Sequence, residues 1–256
     1  MRRRGTEVAK SISTTLLAAQ QSMTQTPYAH LLFTSASGGT TYDYSSDQSS
    51  RRILLIDHTE EPYNDTATIV LRDNDKAIPD LKGYWTEIGY GFVTGAGNEY
   101  PGSGGDNGTY ASPRLWVKHQ QFVSSGGSYI SRLELEGMWN RAAEILIRLG
   151  SNPIQYKLYT ATSIYSIISA ILTECGFTLN ALVEDDGIIN SLQPNFEINN
   201  QPFEFAAAII YRLLSMTKSY LRPKALLQYE VKYPQSADAV NLNYYLDQHQ
   251  YFYEYT

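Results

Sequence analysis

The chain has 256 residues and a formal net charge of −6, from 20 basic and 26 acidic side chains. This charge argues against a protein that is held to nucleic acid through phosphate contacts, because such binding needs a basic face. Its single cysteine excludes an internal disulfide framework and a cysteine-based zinc site. Charged residues make up only 18% of the chain, against a usual ~25%. We therefore expect a surface that is rich in neutral polar groups or covered by partners.

Charge is unevenly distributed along the chain. It opens with the basic sequence MRRRG, but polar residues interrupt the stretch after it, so the apolar core of a signal peptide is missing. Seven acids and two bases lie between Asp57 and Asp80, and six acids with no base lie between Leu158 and Tyr211. Each acidic stretch is most simply explained by a solvated face. No run of about 18 apolar residues occurs, so the sequence predicts no membrane-spanning helix.

The first elements in chain order are a short helix and then a β-rich region. Ser13 or Thr14 can cap a helix that runs to about Met23, which makes residues 1–27 an N-terminal arm. Residues 28–137 contain short runs rich in β-branched or aromatic side chains, and such runs indicate a small barrel or sandwich. The predicted strands are Tyr28–Thr34, Arg52–Asp57, Ala67–Arg72, Thr86–Val93, Leu115–Val123 and Tyr129–Glu136.

Two loops of this region are too rich in Gly and Ser to pack by themselves. They are Ser35–Ser50 and Gly95–Gly108, the second with six glycines. We expect both loops to be mobile or to be ordered by a partner. Neither contains a phosphate-binding motif, and Gly89-Tyr90-Gly91 lacks the third glycine of one, so a hairpin is the better interpretation. The candidate partner-contacting side chains in or beside these loops are Tyr42, Tyr44, Tyr100 and Tyr110.

After Gly137 the hydrophobic period becomes helical. A first helix is predicted over Met138–Leu149, and a second over Ile164–Cys175, which Thr162 or Ser163 can cap and Gly176 can end. A third is predicted to begin near Pro202, to carry the apolar stripe of Ala206–Leu214, and to break at Arg222-Pro223. Cys175 lies on the apolar face of the second helix, where a buried structural thiol is expected rather than a nucleophile.

The C-terminal part alternates again with period 2. Ala225–Tyr233 is predicted as a strand, and the last residues form an aromatic run that also reads as a strand and needs a partner. We interpret residues 224–256 as the opening strands of a second β-domain. The candidate assembly interface is formed by Tyr244, Tyr245, Tyr251, Tyr253 and Tyr255.

Nothing in the sequence points to an active site. The four histidines, at 30, 58, 119 and 249, have no partner at metal-binding spacing, and a nucleophile elbow is absent. Asp73-Asn74-Asp75 and Asp185-Asp186-Gly187 are most simply turns, because the glycine and glutamate of a calcium loop are missing after the first. We therefore predict no catalytic residue, no metal, no cofactor and no enzymatic activity.

Several segments, taken in order, resemble phage tail hub proteins, which form a trimer that caps the tail tube. Those that resemble the N-terminal half of the family are SISTTLLAAQQSMTQTPYAHLLFTS, ATIVLRDNDKAIPDLKGYWTEIGYGF, LWVKHQQFVSS and RLELEGMWNRAAEI. The segment DDGIINSLQPNFEINNQPFEFAAAIIYRLLSMTKSYLRPKALLQYEVKYPQSADA is similar to its middle region. The resemblance lies in the order of several medium-length matches, from about Ser11 to the C-terminus, rather than in one short motif.

The resemblance implies an α+β fold with two barrel-like tube domains in each protomer, separated by mixed α/β insertions. For this chain it implies a small β-barrel-like tube domain at 28–137 and a helical α/β insertion at 138–223. The second β-domain, from 224 to 256, would be incomplete, either because the chain is truncated or because another polypeptide supplies the remainder. Three protomers would then form a pseudo-sixfold ring that matches a hexameric tube.

The same resemblance implies a structural role at the tail tip of a virion, after synthesis in the host cytoplasm. The expected partners are two further copies of the chain, the tail tube or distal tail protein, the tape-measure protein and other tail-tip proteins. DNA would pass without specific binding, since an acidic lumen repels phosphates. Two alternatives remain at this point: a Tyr-rich receptor- or carbohydrate-binding module, and a tail-associated cell-wall hydrolase, which the missing motifs disfavour.

Overall fold

The computed structural model describes residues 13–100, 112–125, 127–147, 157–183, 187–198 and 204–233. The fold is α+β, as the sequence predicts: a curled antiparallel sheet is followed by a helical unit that carries short strands. In the first unit, helix α1 (Thr14–Gln21) begins at Ser13, whose side chain accepts a hydrogen bond from Leu16 N. The strands of the curled sheet are β1 (Pro27–Thr34), β2 (Thr41–Ser45), β3 (Ile53–Glu61), β4 (Asn64–Arg72), β5 (Trp85–Thr86), β6 (Ile88–Thr94), β7 (Gly97–Glu99), β8 (Leu115–Ser125) and β9 (Ser128–Glu136).

Antiparallel pairing joins these strands in the order β3-β4-β9-β8-β5-β1-β6-β7, and β2 pairs with β1 as well. His30 of β1 pairs with Ser45 of β2 and with Gly89 of β6, so β2 and β6 lie on opposite edges of β1. The six strands that the sequence predicts are confirmed, except that the fourth is divided into β5 and β6 at Glu87. Among the described residues, β3 pairs with β4 alone and is an edge strand.

Alternate residues of the sheet point to one apolar core, which lies on what we call its inner face. The largest side chains of this core are fully buried because the sheet curls around them. The curl brings the His58 ring of β3 to 6.0 Å from the Tyr90 ring of β6, stacked nearly parallel. The inner core consists of Leu31, Phe33, Tyr44, Ala67, Ile69, Leu71, Ile78, Leu81, Ile88, Leu115, Val117, Leu133 and Leu135.

One of the two loops predicted to be mobile is ordered by its own chain. Ser35–Ser50 contains β2, which forms a hairpin with β1, so the expectation for this loop is wrong. Tyr44 is only 7% exposed and packs edge-on against Phe33, 6.0 Å between ring centroids. Tyr42 is half-buried 5.8 Å from Tyr84. Alternation of Tyr with small polar residues was the strand signal that the Ser and Gly content concealed.

The helical unit has a second core, to which four helices contribute. Its elements are α2 (Met138–Ala142), β10 (Lys157–Tyr159), α3 (Ile164–Glu174), β11 (Thr178–Leu179), α4 (Ile188–Ser191), β12 (Phe196–Ile198), α5 (Ala206–Leu214), β13 (Tyr220–Lys224) and β14 (Gln228–Lys232). β10 pairs with β12, while β14 lies between β11 and β13. The apolar stripes of α3 and α5 face each other and are buried, because the i, i+3, i+4 spacing places them on one side of each helix.

Two of the predicted helices differ from the structure. The first is shorter than Met138–Leu149, because Ile145 O accepts from Ala206 N and Leu146 forms a bridge with Phe205, which draws the chain out of the helix. The third ends at Leu214, not at Arg222-Pro223, and Pro202 lies outside the described residues. The second helix is confirmed with both of its predicted ends, since the Ser163 side chain accepts from Ser166 N and Gly176 has a φ of +81°.

The predicted start of a second β-domain at residue 224 falls inside a hairpin. Lys224 is the last residue of β13 and pairs with Gln228 of β14. Tyr229 and Val231 of β14 are buried in the same core as the helices, so residues 224–232 belong to the helical unit. Residues 234–256, with the five tyrosines of the candidate assembly interface, lie outside the described residues.

The two units meet without a linker. Gly137 alone separates β9 from α2, and its N–H donates to Asp65 O at 2.6 Å. A Cβ at this position would lie 2.6 Å from Asp65 Cβ, so only glycine allows this approach. Tyr63, in the β3–β4 turn, packs 4.8 Å from Trp139 and 6.1 Å from Tyr211 by ring centroids. These contacts fix the helical unit against the sheet.

Candidate assembly surface

The outer face of the sheet, opposite the inner core, is divided into a covered half and a bare half. In the covered half the chain after β7 lies flat on β6. A Cβ at Gly91 would lie 1.8 Å from Glu99 O, and one at Gly89 would lie 2.8 Å from the Tyr100 ring. The two glycines of Gly89-Tyr90-Gly91 therefore make room for this segment. They lie inside strand β6, and the β6–β7 hairpin turns further on, at residues 95–96, so the motif is not itself a hairpin connection and has a packing role that its local sequence does not reveal.

Aromatic stacking completes the covered half. Tyr100 stacks on His30 at 5.3 Å and on Tyr28 at 6.2 Å, and His30 Nε2 lies 3.1 Å from Asp43 Oδ1. The N-terminal helix lies over the same strands, since Thr15 Oγ1 donates to Glu99 Oε1 at 2.8 Å and Ser13 Oγ also bonds to Glu99. Hydrogen bonds from these two hydroxyls hold the pKa of Glu99 below its usual range.

The four candidate partner-contacting tyrosines are not equivalent. Tyr44 is buried in the inner core and cannot meet a partner, and burial raises its pKa to about 12. Tyr42 lies in strand β2 and Tyr100 in the intramolecular stack, both half-buried. Tyr110 lies outside the described residues. Tyr44 therefore gives no support to a Tyr-rich sugar-binding loop.

The bare half of the outer face is formed by β3, β4, β9 and β8. Register places Leu55 opposite Val70, and Ile130 of β9 opposite Val123 of β8 in the next row. Leu55 is 50% exposed and Val123 is 38% exposed, with no helix or loop of the described chain over them. We call these four residues the bare apolar row. Across β4 and β9, Val70 pairs with Arg132 and Ile130 pairs with Arg72, so the two apolar pairs lie diagonal to each other with arginines beside them, on a surface that a partner could cover.

The bare half ends at edge strand β3, which changes from apolar to acidic along its length. Leu54 is 46% exposed at a β-bulge, and the other end carries Asp57, Glu60 and Glu61, all exposed. No ion pair joins these three carboxylates to a base within the described ranges. We call them the acidic edge. Charges and a bulge on an edge strand oppose uncontrolled pairing with other strands.

Beneath the acidic edge lies a buried polar group at the junction of the two units. Asp65 is 1% exposed, its Oδ1 lies 3.1 Å from His58 Nε2, and its Oδ2 has no hydrogen-bond partner among the described residues. Burial raises the pKa of Asp65, which the His58 hydrogen bond opposes. A carboxyl whose pKa rises on folding contributes stability that is complete below its unfolded pKa of about 3.9 and is lost as pH rises through the folded pKa.

No arrangement in the described residues resembles a catalytic or metal site. No three His, Cys, Asp or Glu side chains come together there in a way that could hold a metal ion. Cys175 is half-buried at the end of α3, and burial raises its pKa to about 11, which disfavours the reactive thiolate. Asp73-Asn74-Asp75 is a turn, as predicted, in which Asp73 Oδ1 accepts from Ile78 N at 2.9 Å. None of the described helices has the length and apolar character needed to cross a bilayer.

The fold resembles that of solved tail proteins. The tail protein from Neisseria meningitidis MC58 matches 84% of this chain over 52% of its own, with a TM-score of 0.51 and 11% identity. The 43 kDa tail protein of prophage MuSo2 from Shewanella oneidensis matches 80% of this chain over 53% of its own, with a TM-score of 0.50 and 12% identity. The chain thus spans about half the length of each, and the likeness is one of fold. No protein-family model and no curated protein matches it.

Proposed function

We propose that the chain is a structural component of a phage tail and acts in the hub at the tail tip. The observation that carries the proposal is the shared fold of tail proteins together with a sheet whose outer face is half bare. A component of a tail must present surfaces to its neighbours, and the bare apolar row is such a surface. The resemblance of the sequence to tail hub proteins points in the same direction.

In this proposal three copies form a ring that joins the tail tube to the tip and lines the conduit for DNA. The tube or distal tail protein, the tape-measure protein and other tail-tip proteins are its neighbours, and its place is the tail tip of the virion. The role is structural rather than enzymatic. Residues 28–137 serve as the tube domain, and Tyr244, Tyr245, Tyr251, Tyr253 and Tyr255 contribute to the contact between chains.

The bare apolar row gives the proposal a direct test. We expect the purified chain to self-associate, with a mass by light scattering that approaches three copies as concentration rises. Leu55→Glu and Val123→Glu should each weaken this association at least tenfold, because either carboxylate would be buried without a partner. Val183→Glu is the matched control, since Val183 is 73% exposed on the helical unit.

Two outcomes would count against the proposal. A chain that remains monomeric at all concentrations would contradict the ring. If all three variants associate as strongly as the unaltered chain, the bare apolar row is not part of the contact between copies. Labelling the chain in intact particles and imaging them by electron microscopy then tests its location, and a label away from the tail tip would refute the hub assignment.

A further inference from the structure

A buried titratable pair joins two contacts that hold the first unit in shape. His58 of β3 and Asp65 of β4 both lie on the inner face of the sheet, and their side chains are 7% and 1% exposed. His58 Nε2 lies 3.1 Å from Asp65 Oδ1. Each member of the pair also contacts a different element, since the His58 ring stacks on Tyr90 of β6 and Asp65 packs on Gly137.

The stack on Tyr90 connects one end of β3 to the opposite side of the curled sheet. Strands β3 and β6 are not hydrogen-bonded to each other, and β3 pairs with β4 alone among the described strands. The other end of β3 is anchored by Ile53 and Ile56, which pack on the inner core. Residues 57–61 have polar side chains and no such apolar anchor. Apart from its pairing with β4, this end of the strand therefore depends on His58.

Only His58 can supply a positive charge beside Asp65. The described groups that act on the Asp65 carboxyl are His58, which favours its charged form, and Glu60, which disfavours it. No Lys or Arg of the described residues is among them, nor among the groups that act on Tyr90. The acidic groups around the pair and its stacked ring are Asp57 and Glu60 of β3, Tyr90 of β6 and Tyr229 of β14. The proton on His58 therefore decides whether Asp65 has a counter-charge.

This proton can be gained and lost near neutral pH, since an imidazole changes its charge between about pH 5 and 8. When His58 is protonated, Nε2–H donates a charge-assisted hydrogen bond to Asp65, and the ring is a cation on the face of Tyr90. When His58 is neutral, Asp65 is a buried charge beside Glu60, and a buried charge without a counter-charge is costly. Asp65 itself cannot turn to water, because its Oδ2 lies 2.8 Å from the position of a Cβ on Gly137 and its O accepts from Gly137 N. The element that can move is the edge strand β3.

We propose that the His58–Asp65 pair is a pH-sensitive contact that closes residues 57–61 of β3 onto β6. The protonated pair holds this end of β3 in place, and the deprotonated pair releases it, so that water reaches Asp65. The direction agrees with linkage: a carboxyl whose pKa rises on folding contributes stability that is present at low pH and is lost as pH rises through the folded pKa. The release is local, because Ile53 and Ile56 keep the other end of β3 on the core.

Hydrogen exchange at two pH values tests the contact. After correction for intrinsic exchange rates, the amides of residues 58–61 should lose about tenfold in protection between about pH 5.5 and about pH 8.5, while those of β9, inside the sheet, stay unchanged. His58→Gln keeps a side-chain N–H donor but does not titrate, so the change with pH should disappear in this variant. The matched control is His119→Gln, because His119 is an exposed histidine that pairs with Glu134 on the sheet, and its loss should leave the change with pH intact.

NMR of the unaltered chain provides a second measurement, which holds even if His58→Gln does not fold. The His58 ring resonances should titrate with the same midpoint as the loss of protection in β3, and the Tyr90 ring resonances should shift with them. Equal protection of residues 58–61 at both pH values would overturn the proposal. A change with pH that persists in His58→Gln, or whose midpoint differs from that of the His58 ring, would also overturn it.

Discussion

Replacing Gly91 by alanine should detach the segment that covers half of the outer face. The added Cβ would lie 1.8 Å from Glu99 O and 2.7 Å from the Tyr100 Cα, against an ordinary contact of at least 3.4 Å, so the strand must move by about 1.6 Å. That shift separates Tyr100 from the His30 and Tyr28 rings, and each stack is worth about 0.5–1.5 kcal/mol. Together with overpacking strain, we expect a loss of about 2–4 kcal/mol in the free energy of unfolding.

Urea unfolding followed by circular dichroism measures this loss. Gly39→Ala is the matched control: Gly39 lies in the β1–β2 hairpin, has only the Ser37 hydroxyl oxygen within 4 Å of its ideal Cβ, and should change stability little. Neither glycine has a positive φ, so backbone strain does not distinguish them. Equal stability of the two variants would show that the segment after β7 does not pack on Gly91. It would also refute the division of the outer face into a covered half and a bare half.

Three further predictions concern buried groups. Asp65→Asn replaces a carboxyl whose pKa is raised by burial with a group that does not titrate. The free energy of unfolding of this variant, relative to that of the unaltered chain, should therefore increase as pH rises from about 4 to 8; a difference independent of pH in urea titrations would contradict this. Tyr229→Phe should stabilise the fold by about 1 kcal/mol, because the buried hydroxyl has no partner among the described residues, and a lower melting temperature would reveal one. Ile168→Asp and Ile210→Asp should each cost about 3–5 kcal/mol, and an unchanged melting temperature would show that the stripes of α3 and α5 are not core.

Local patterns in the sequence were enough for the regular elements with a strong period. Runs rich in β-branched or aromatic side chains gave the six strands from residue 28 to 136, and the apolar spacing with a capping serine and Gly176 gave α3 with both ends. These signals are intrinsic to the segment, since they depend on which side chains share a face. The α+β class followed from the change of period at Gly137.

Elements that depend on distant partners could not be placed in this way. The first predicted helix ends early because Ala206 N captures Ile145 O, a contact between residues far apart in the chain. β13 and β14 form one sheet with β11, which no local pattern connects to them. The covered half of the outer face could not be predicted for the same reason. Glycine is required at 89 and 91 only because Tyr100 and Glu99 pack against these positions.

The single residue between β9 and α2 has a mechanical consequence. Gly137 is hydrogen-bonded to Asp65, and Tyr63 packs against Trp139 and Tyr211. The junction therefore contains no flexible residues that could extend or rotate independently of the two cores. A pull on the helical unit is therefore transmitted as shear along β4 and β9, which are hydrogen-bonded to each other over seven residue pairs. We therefore expect the two units to move together rather than to swing about a flexible linker.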